Sequence, residues 1–249
     1  NICRATNVYF FCHRFYFNRR SSANFEPILI LEIDSVELNF DKKKILYGVY
    51  VKGETGKITG ILGRNGCGKT CLLRILFGDL QPKYKNVRLN GNHISTKLFT
   101  TNKVAYLPQH QLLPNNYNIK KAFDLFNVDW MTFVGHFESF KIYGNSKTSE
   151  LSSGELRVIE TYLILNSSKE IILLDEPFSF VAPIYVEKFK ELLSEKKKYA
   201  AILITDHFYR EILDISDSIY LLKNGYSKLI RSKEDLENEG YINFNPQQK

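Results

Sequence analysis

No stretch of the 249 residues holds about 18 consecutive apolar side chains, so no single segment is built to cross a bilayer as a helix. Any membrane role is therefore borrowed from a partner. Cysteine is scarce: Cys3, Cys12, Cys67 and Cys71 are all there is. Their gaps fit neither a zinc pattern nor a disulfide framework, which points to ordinary thiols in a reducing cytosol. Cys67 and Cys71 lie four apart but lack the second pair a metal site needs. Internal repeats and low-complexity tracts are missing, and so is the Asn-Lys-x-Asp motif of guanine recognition. Charge of one sign is also in short supply. Lys and Arg number 34 against 27 acidic residues, a net of +7. Four Arg and one Glu in residues 1–26 account for +3 of that, and the remainder is too diffuse to mark a nucleic-acid partner.

What is present is ordinary globular material, 44% apolar and 24% charged, enough for a full core. The length suits one α/β domain with short extensions. Residues 1–26 read differently from the rest, with Val8-Tyr9-Phe10-Phe11, Phe15-Tyr16-Phe17 and Arg14, Arg19 and Arg20. An interfacial anchor would look this way, with aromatics at headgroup depth. The segment is expected instead to be a disordered or non-native extension, with the domain running over 27–240 and a tail over 241–249.

Short β-like runs fill residues 28–63: Leu29-Ile30-Leu31-Glu32-Ile33, Val36-Glu37-Leu38-Asn39-Phe40, residues 45–52, and the apolar Lys57-Ile58-Thr59-Gly60-Ile61-Leu62-Gly63. Turns are expected at 41–44 and 53–56. Residues 70–77 carry helical spacing and stop at Gly78. Short strands follow at 87–91 and 104–107, a mostly helical insertion at 119 to about 143, and another helix at 152–165. Glu170-Ile171-Ile172-Leu173-Leu174-Asp175 and Ala200-Ala201-Ile202-Leu203-Ile204-Thr205 are continuous apolar runs of the kind buried on both faces of a parallel sheet. A helix is expected over 183–198. Strands alternating with helices imply right-handed crossovers, with sites at the strands' carboxyl ends.

Gly63-Arg64-Asn65-Gly66-Cys67-Gly68-Lys69-Thr70 satisfies G-x-x-x-x-G-K-[ST] between a strand and a helix. Glycines let successive amides curl around phosphate oxygens, and the helix that follows aims its amino terminus at the same anion. Lys69 is expected to reach the terminal phosphates, and the Thr70 hydroxyl to ligate Mg²⁺. The pattern implies a bound nucleoside triphosphate. Asp175-Glu176-Pro177 supplies the complementary carboxylates. Asp175 can hold Mg²⁺ through water, and Glu176 can orient the attacking water as general base.

With these motifs in this order, the chain resembles the ATP-binding cassette (ABC) family, specifically a transporter's nucleotide-binding subunit. Gln109 in Leu107-Pro108-Gln109 resembles the Q-loop glutamine, which contacts Mg²⁺ or water, and His207 in Thr205-Asp206-His207 resembles the switch histidine. Phe40 is similar to the aromatic that stacks on adenine, although a core position is equally open to it. Leu151-Ser152-Ser153-Gly154-Glu155 resembles the signature Leu-Ser-Gly-Gly-Gln, and Ser152-x-x-Glu155 is at the same time a capping box. The resemblance covers about residues 28–240. It implies an α/β fold of the P-loop NTPase class: an ABC-type ATPase core, with a parallel sheet and an antiparallel β subdomain, plus a small helical subdomain at about 112–166.

The same resemblance implies ATP and Mg²⁺ as ligands. Nucleotide contacts would come from Phe40, Gly63, Asn65, Gly66, Cys67, Gly68, Lys69, Thr70 and Cys71, and across a dimer from Ser152, Ser153 and Gly154. Thr70, Gln109 and Asp175 would face the metal, while Glu176, His207 and Gln109 would serve hydrolysis. A second ATPase subunit, identical or related, and a transmembrane permease are the implied partners, with the chain peripheral on the cytoplasmic face of the inner membrane. Two departures stand out. Ser153 and Glu155 replace signature residues, and Ser179-Phe180-Val181-Ala182 replaces the family's Ser-Ala-Leu-Asp, so Ala182 removes a carboxylate. Two other readings stay in view: a non-transport cassette ATPase and, motivated by Ala182 and the altered signature, a weakly hydrolysing nucleotide sensor.

Overall fold

The computed structural model describes residues 28–41 and 43–242, so the expectations for residues 1–26 and for most of the tail lie outside them. Two long strands come first, β1 (Ile30–Phe40) and β2 (Lys43–Glu54), then β3 (Ile58–Leu62) and helix α1 (Lys69–Phe77). The two apolar runs expected near the amino end are one strand. Ser35 takes φ 54° and the β1–β2 register shifts between Ile33 and Val36, so a bulge carries β1 through the polar Asp34-Ser35 step. Helix α1 stops where expected: Gly78, at φ 104°, donates its amide to the Arg74 carbonyl. Next come β4 (Tyr84–Leu89), the two-residue β5 (Asn92–His93) and β6 (Val104–Leu107).

The helical insertion is broken into pieces. It comprises α2 (Ile119–Phe126), α3 (Trp130–His136) and a 3-10 segment, Glu138–Asn145. The breaks have local causes. Asn118 caps α2 by accepting from the Lys121 amide, Asn127 ends it in the left-handed conformation, and Asp129 caps α3 through the Thr132 amide. Then follow α4 (Ser153–Leu165), β7 (Ile171–Asp175), α5 (Pro183–Lys196) and β8 (Ala201–Thr205). Four elements beyond these were not anticipated: α6 (Tyr209–Ile215), the hairpin β9 (Ser218–Lys223) and β10 (Tyr226–Ile230), and α7 (Lys233–Asn238). The hairpin turns on Asn224-Gly225, both at positive φ, as a two-residue loop requires. Tyr241 and Ile242 pack against the main core, so the domain extends two residues into the expected tail.

Six strands form the central sheet in the order β10-β9-β3-β8-β7-β6, parallel except for β10; β2-β1-β4-β5 form a separate antiparallel sheet. Side-chain alternation decides the layering. Along β7, Ile172 and Leu174 point into a core shared with α4, α5 and the helical insertion, while Ile171 and Leu173 point into one shared with α1 and the antiparallel sheet. The continuous apolar runs are therefore two alternating sets, each feeding its own core. Leu72, Leu73, Ile75 and Leu76 seat α1 on the second core, each worth about 1.5–3 kcal/mol of burial. The helical insertion has an aromatic interior, where Phe133 and Tyr162 meet edge-on at 4.9 Å and Phe123 and Trp130 at 5.0 Å. This layering brings the carboxyl ends of β3, β6, β7 and β8 to one edge of the sheet.

Candidate active site

At the end of β3 the chain turns through residues 63–68 into α1. Gly66 is at φ 75° and Gly68 at φ 107°, backbone that L side chains rarely adopt. A Cβ on Gly68 would lie 2.7 Å from Leu46 Cδ2, and one on Gly63 would lie 2.5 Å from Cys67 Sγ and 2.6 Å from the Leu222 carbonyl oxygen. Glycine is therefore dictated at 68 by conformation and space together, and at 63 by space. Asn65 and Gly66 are exposed, whereas Cys67 and Cys71 are half-buried and both pack against the α1 core.

Lys69 opens α1 and is only 5% exposed. Its Nζ donates to the Gly63 carbonyl at 2.8 Å and to that of Arg64 at 3.5 Å, neutral partners both. Asp175, at the end of β7, is fully buried. Its carboxylate accepts from Thr205 at 2.7 Å, from Tyr106 at 3.3 Å and from Thr70. Burial pushes its carboxyl above the ordinary range, against the pull of the Thr205 and Thr70 hydroxyls. Among the described residues, neither the Lys69 ammonium nor the Asp175 carboxylate has an ion-pair partner. Both groups are buried next to Thr70, Lys69 as its chain neighbour and Asp175 beside its hydroxyl, with neutral hydrogen-bond partners.

One residue on, Glu176 has φ 55°, left-handed backbone that costs a non-glycine residue about 1–3 kcal/mol. Its amide donates to the Thr205 carbonyl at 2.8 Å. Its Oε1 lies 2.8 Å from His207 Nε2, and its Oε2 accepts from Ser179 at 3.4 Å. The carboxylate is nearly buried, while the imidazole is 41% exposed at the rim. Behind it, Asp206 accepts from the Phe178 amide at 2.9 Å and the Phe208 amide at 3.0 Å, which fixes both loops beside Glu176 and His207.

Two residues that carry no recognised motif complete the floor. Arg157 of α4, 6% exposed, donates to the carbonyl of Pro108 at 2.7 Å, to that of Glu176 at 3.0 Å and to that of Asp175. Glu160, one turn on and 1% exposed, accepts from the amides of Leu112 and Leu113, each at 2.8 Å, and lies 3.8 Å from Arg157. The available signal was a charged pair spaced i, i+3 inside an otherwise apolar helix.

Other expected positions stand apart. Gln109 is exposed two residues beyond β6, and Phe40 is 46% exposed at the end of β1, which removes the core reading for it. Ser152 caps α4 in a full capping box. Its hydroxyl accepts from the Glu155 amide at 3.3 Å and donates to Glu155 Oε2 at 2.6 Å, and Glu155 Oε1 accepts from Tyr143 at 2.5 Å. Those hydroxyls hold the Glu155 carboxyl below its ordinary value, Ser152 more than Tyr143. Ser152 and Ser153 are exposed, and among the described residues no hydrogen bond joins residues 152–154 to residues 63–70. Gly154 is required by close approach, since a Cβ there would sit 2.3 Å from the Phe180 carbonyl oxygen. Phe178 is core, but Phe180 is 83% exposed at φ 64°. Ala182 precedes α5 without a side-chain cap, where an aspartate would have supplied one.

The donor set suits Mg²⁺, which binds oxygen through one or two carboxylates, phosphates and retained waters rather than in an all-protein cage. Thr70 and Asp175 offer adjoining hard oxygens, and a cation bound there would offset the burial that disfavours the ionised Asp175 carboxylate. The loop amides and Lys69 call for an anion. A metal–triphosphate complex answers both demands.

A family model described as ABC transporter matches residues 46–179. An uncharacterized ABC transporter ATP-binding protein of Methanocaldococcus jannaschii is 27% identical over 225 residues, 83% of this chain and 79% of that protein. A zinc import ATP-binding protein of a Wolbachia species is 28% identical over 212 residues, 78% of this chain and 80% of the relative. The solved ATP-binding subunit of an ABC transporter superposes with a TM-score of 0.70 at 20% identity, over 85% of this chain and 93% of that one, a likeness of fold. No helix among the described residues is long and apolar enough to cross a membrane.

Proposed function

The chain belongs to the ABC transporter family as an ATP-binding, ATP-hydrolysing subunit, and we propose that its residues divide that work as follows. The amides of residues 63–70 and the Lys69 ammonium bind the phosphates, with Asn65, Cys67 and Cys71 lining the same turn and Phe40 stacking on the adenine. Thr70 and Asp175, with Gln109 nearby, would hold Mg²⁺, which when bound would supply neutralisation of phosphate charge. Glu176 takes the proton of the attacking water, and His207 holds the Glu176 carboxylate in place from the rim.

The observation that carries this reading is one connected line of contacts. Asp175, held by Thr205 at 2.7 Å, lies beside the Thr70 hydroxyl of the loop, and the next carboxylate, Glu176, lies 2.8 Å from His207. On this reading anion binding, cation binding and a base meet at the strand ends. Ser152 and Ser153 are exposed, and with Gly154 they serve the nucleotide of a second cassette, identical or related. ATP favours the closed pair through γ-phosphate contacts that ADP cannot make, and hydrolysis releases it. A permease partner receives the motion through the Gln109 loop and the helical subdomain, with the chain held on the cytoplasmic face of the inner membrane.

The test is Glu176→Gln. It keeps nucleotide binding, loses on the order of 10²–10⁴ in turnover, and accumulates as a dimer with ATP but not with ADP in size-exclusion chromatography. Wild-type turnover in that variant removes Glu176 from the role of base.

A further inference from the structure

Three backbone carbonyls converge where β6 and β7 run out of sheet partners: those of Asp175 and Glu176, buried, and that of Pro108, half-buried. A buried carbonyl needs a donor. One guanidinium serves all three, Nη1 reaching Pro108 at 2.7 Å while Nη2 bridges Asp175 and Glu176. Nε adds a second contact to Glu176 at 3.3 Å. Only arginine presents donors in a fork wide enough for two strands, since a lysine ammonium is a single point on a flexible stem.

The Glu176 carbonyl is the one most in need of a hold. Its residue is in left-handed backbone at φ 55°, and Pro177 after it disfavours the right-handed helical region as an escape. Such a conformation persists where its surroundings over-determine it. Here the amide is tied to Thr205 and the carbonyl is gripped twice by Arg157. The same helix face holds the far side of the Gln109 loop, where Glu160 takes the amides of Leu112 and Leu113. Gln109, His110 and Gln111 are left as an exposed three-residue arch with both feet on α4.

We propose that Arg157 is a positioning residue for hydrolysis. Through the Glu176 carbonyl it holds the carboxylate at its working angle, and with Glu160 it makes the Gln109 arch and the Glu176 peptide move as one with the signature helix. The inference rests on the assignment of Glu176 as general base. It separates Arg157 from a merely structural buried charge because it predicts lost turnover with nucleotide affinity retained.

Three full-length variants decide it: Arg157→Lys, the double variant Arg157→Met with Glu160→Gln, and Glu176→Gln as reference. The double variant removes both members of the buried α4 pair, so Glu160 is not left charged without Arg157, and it folds where a lone arginine deletion risks collapse. Fluorescent ATP-analogue titration, thermal melting and steady-state turnover are measured for each. Both Arg157 variants are expected to bind nucleotide within about threefold of wild type while kcat falls about a hundredfold, the cost of a catalytic group displaced by an ångström. A folded double variant with wild-type kcat overturns the inference, as does a parallel fall in affinity and kcat. If Glu176→Gln is inactive while the Arg157 variants turn over normally, the positioning role alone falls. If Glu176→Gln hydrolyses like wild type, the base assignment falls and takes this inference with it.

Discussion

The half of the site at the strand ends and the half around the Ser152 turn obey different rules. At the strand ends, Lys69, Asp175 and Glu176 are buried, and each is fixed by two or more contacts within the chain. Around the turn, Ser152 and Ser153 are exposed, Phe180 stands 83% in solvent on strained backbone, and Gly154 touches nothing of the phosphate loop. Among the described residues, the first half holds its groups in contact with one another, while the second presents Ser152 and Ser153 to solvent. A chain that folds its chemistry inward and its recognition outward can be perturbed in one half without the other.

The largest effect expected of a single change to the phosphate grip is from Lys69→Ala. Nucleotide affinity should fall on the order of a hundredfold, equivalent to about 3 kcal/mol of charge-assisted hydrogen bonding lost from a buried cation. Direct titration of the full chain measures it, and unchanged affinity would break the assignment of the first half. Removal of this buried ammonium should leave the capping box and the Phe180 loop as they are.

Gly154→Ala tests the other side. The new Cβ meets the Phe180 carbonyl oxygen at 2.3 Å, so the loop after Glu176 must shift at about 1–3 kcal/mol of stability. Denaturant unfolding should show that loss, whereas the nucleotide affinity of the isolated chain should stay at the wild-type value. A large change in affinity would mean that the two halves are one mechanical unit in the single chain, and the comparison would fail.

The two halves were also unequally legible in the amino-acid sequence. The turn at 63–70 could be read because its glycines and its strand–helix context have a local cause, and the Asp175-Glu176 pair because four consecutive apolar residues precede it. Phosphate chemistry is written in short-range pattern. The Arg157–Glu160 pair could not be read that way. A charged pair on a helix is ordinarily a solvated face, and only the convergence of two strand ends above it, 49 residues away at Pro108 and 18 away at Asp175, turns it inward. The breaks in the helical insertion had local signals in Asn118, Asn127 and Asp129, and the β9–β10 hairpin had one in Asn224-Gly225; all compete with the apolar spacing around them. The Asp34-Ser35 bulge depends on pairing with both β2 and β4, which no local window contains.

The smallest expected effect sharpens the comparison most finely, because it concerns a charge in the outer half alone. Glu155 closes the capping box and takes the hydroxyl protons of Ser152 and Tyr143, which hold its carboxyl below the ordinary value. A depressed carboxyl contributes stability that is fully present above its unfolded pKa, about 4.3, and is lost as pH falls through the lower folded value. Glu155→Ala should therefore unfold about 1 kcal/mol more easily than wild type at neutral pH, the usual worth of such a cap. In urea titrations the gap between the two proteins should close as the pH is taken below about 4. A gap that stays constant would mean that packing, not the ionised carboxylate, supports the turn. Nucleotide affinity measured on the same two proteins at neutral pH should not differ, because the charge that steadies the Ser152 turn is not among those that grip phosphate in its own chain.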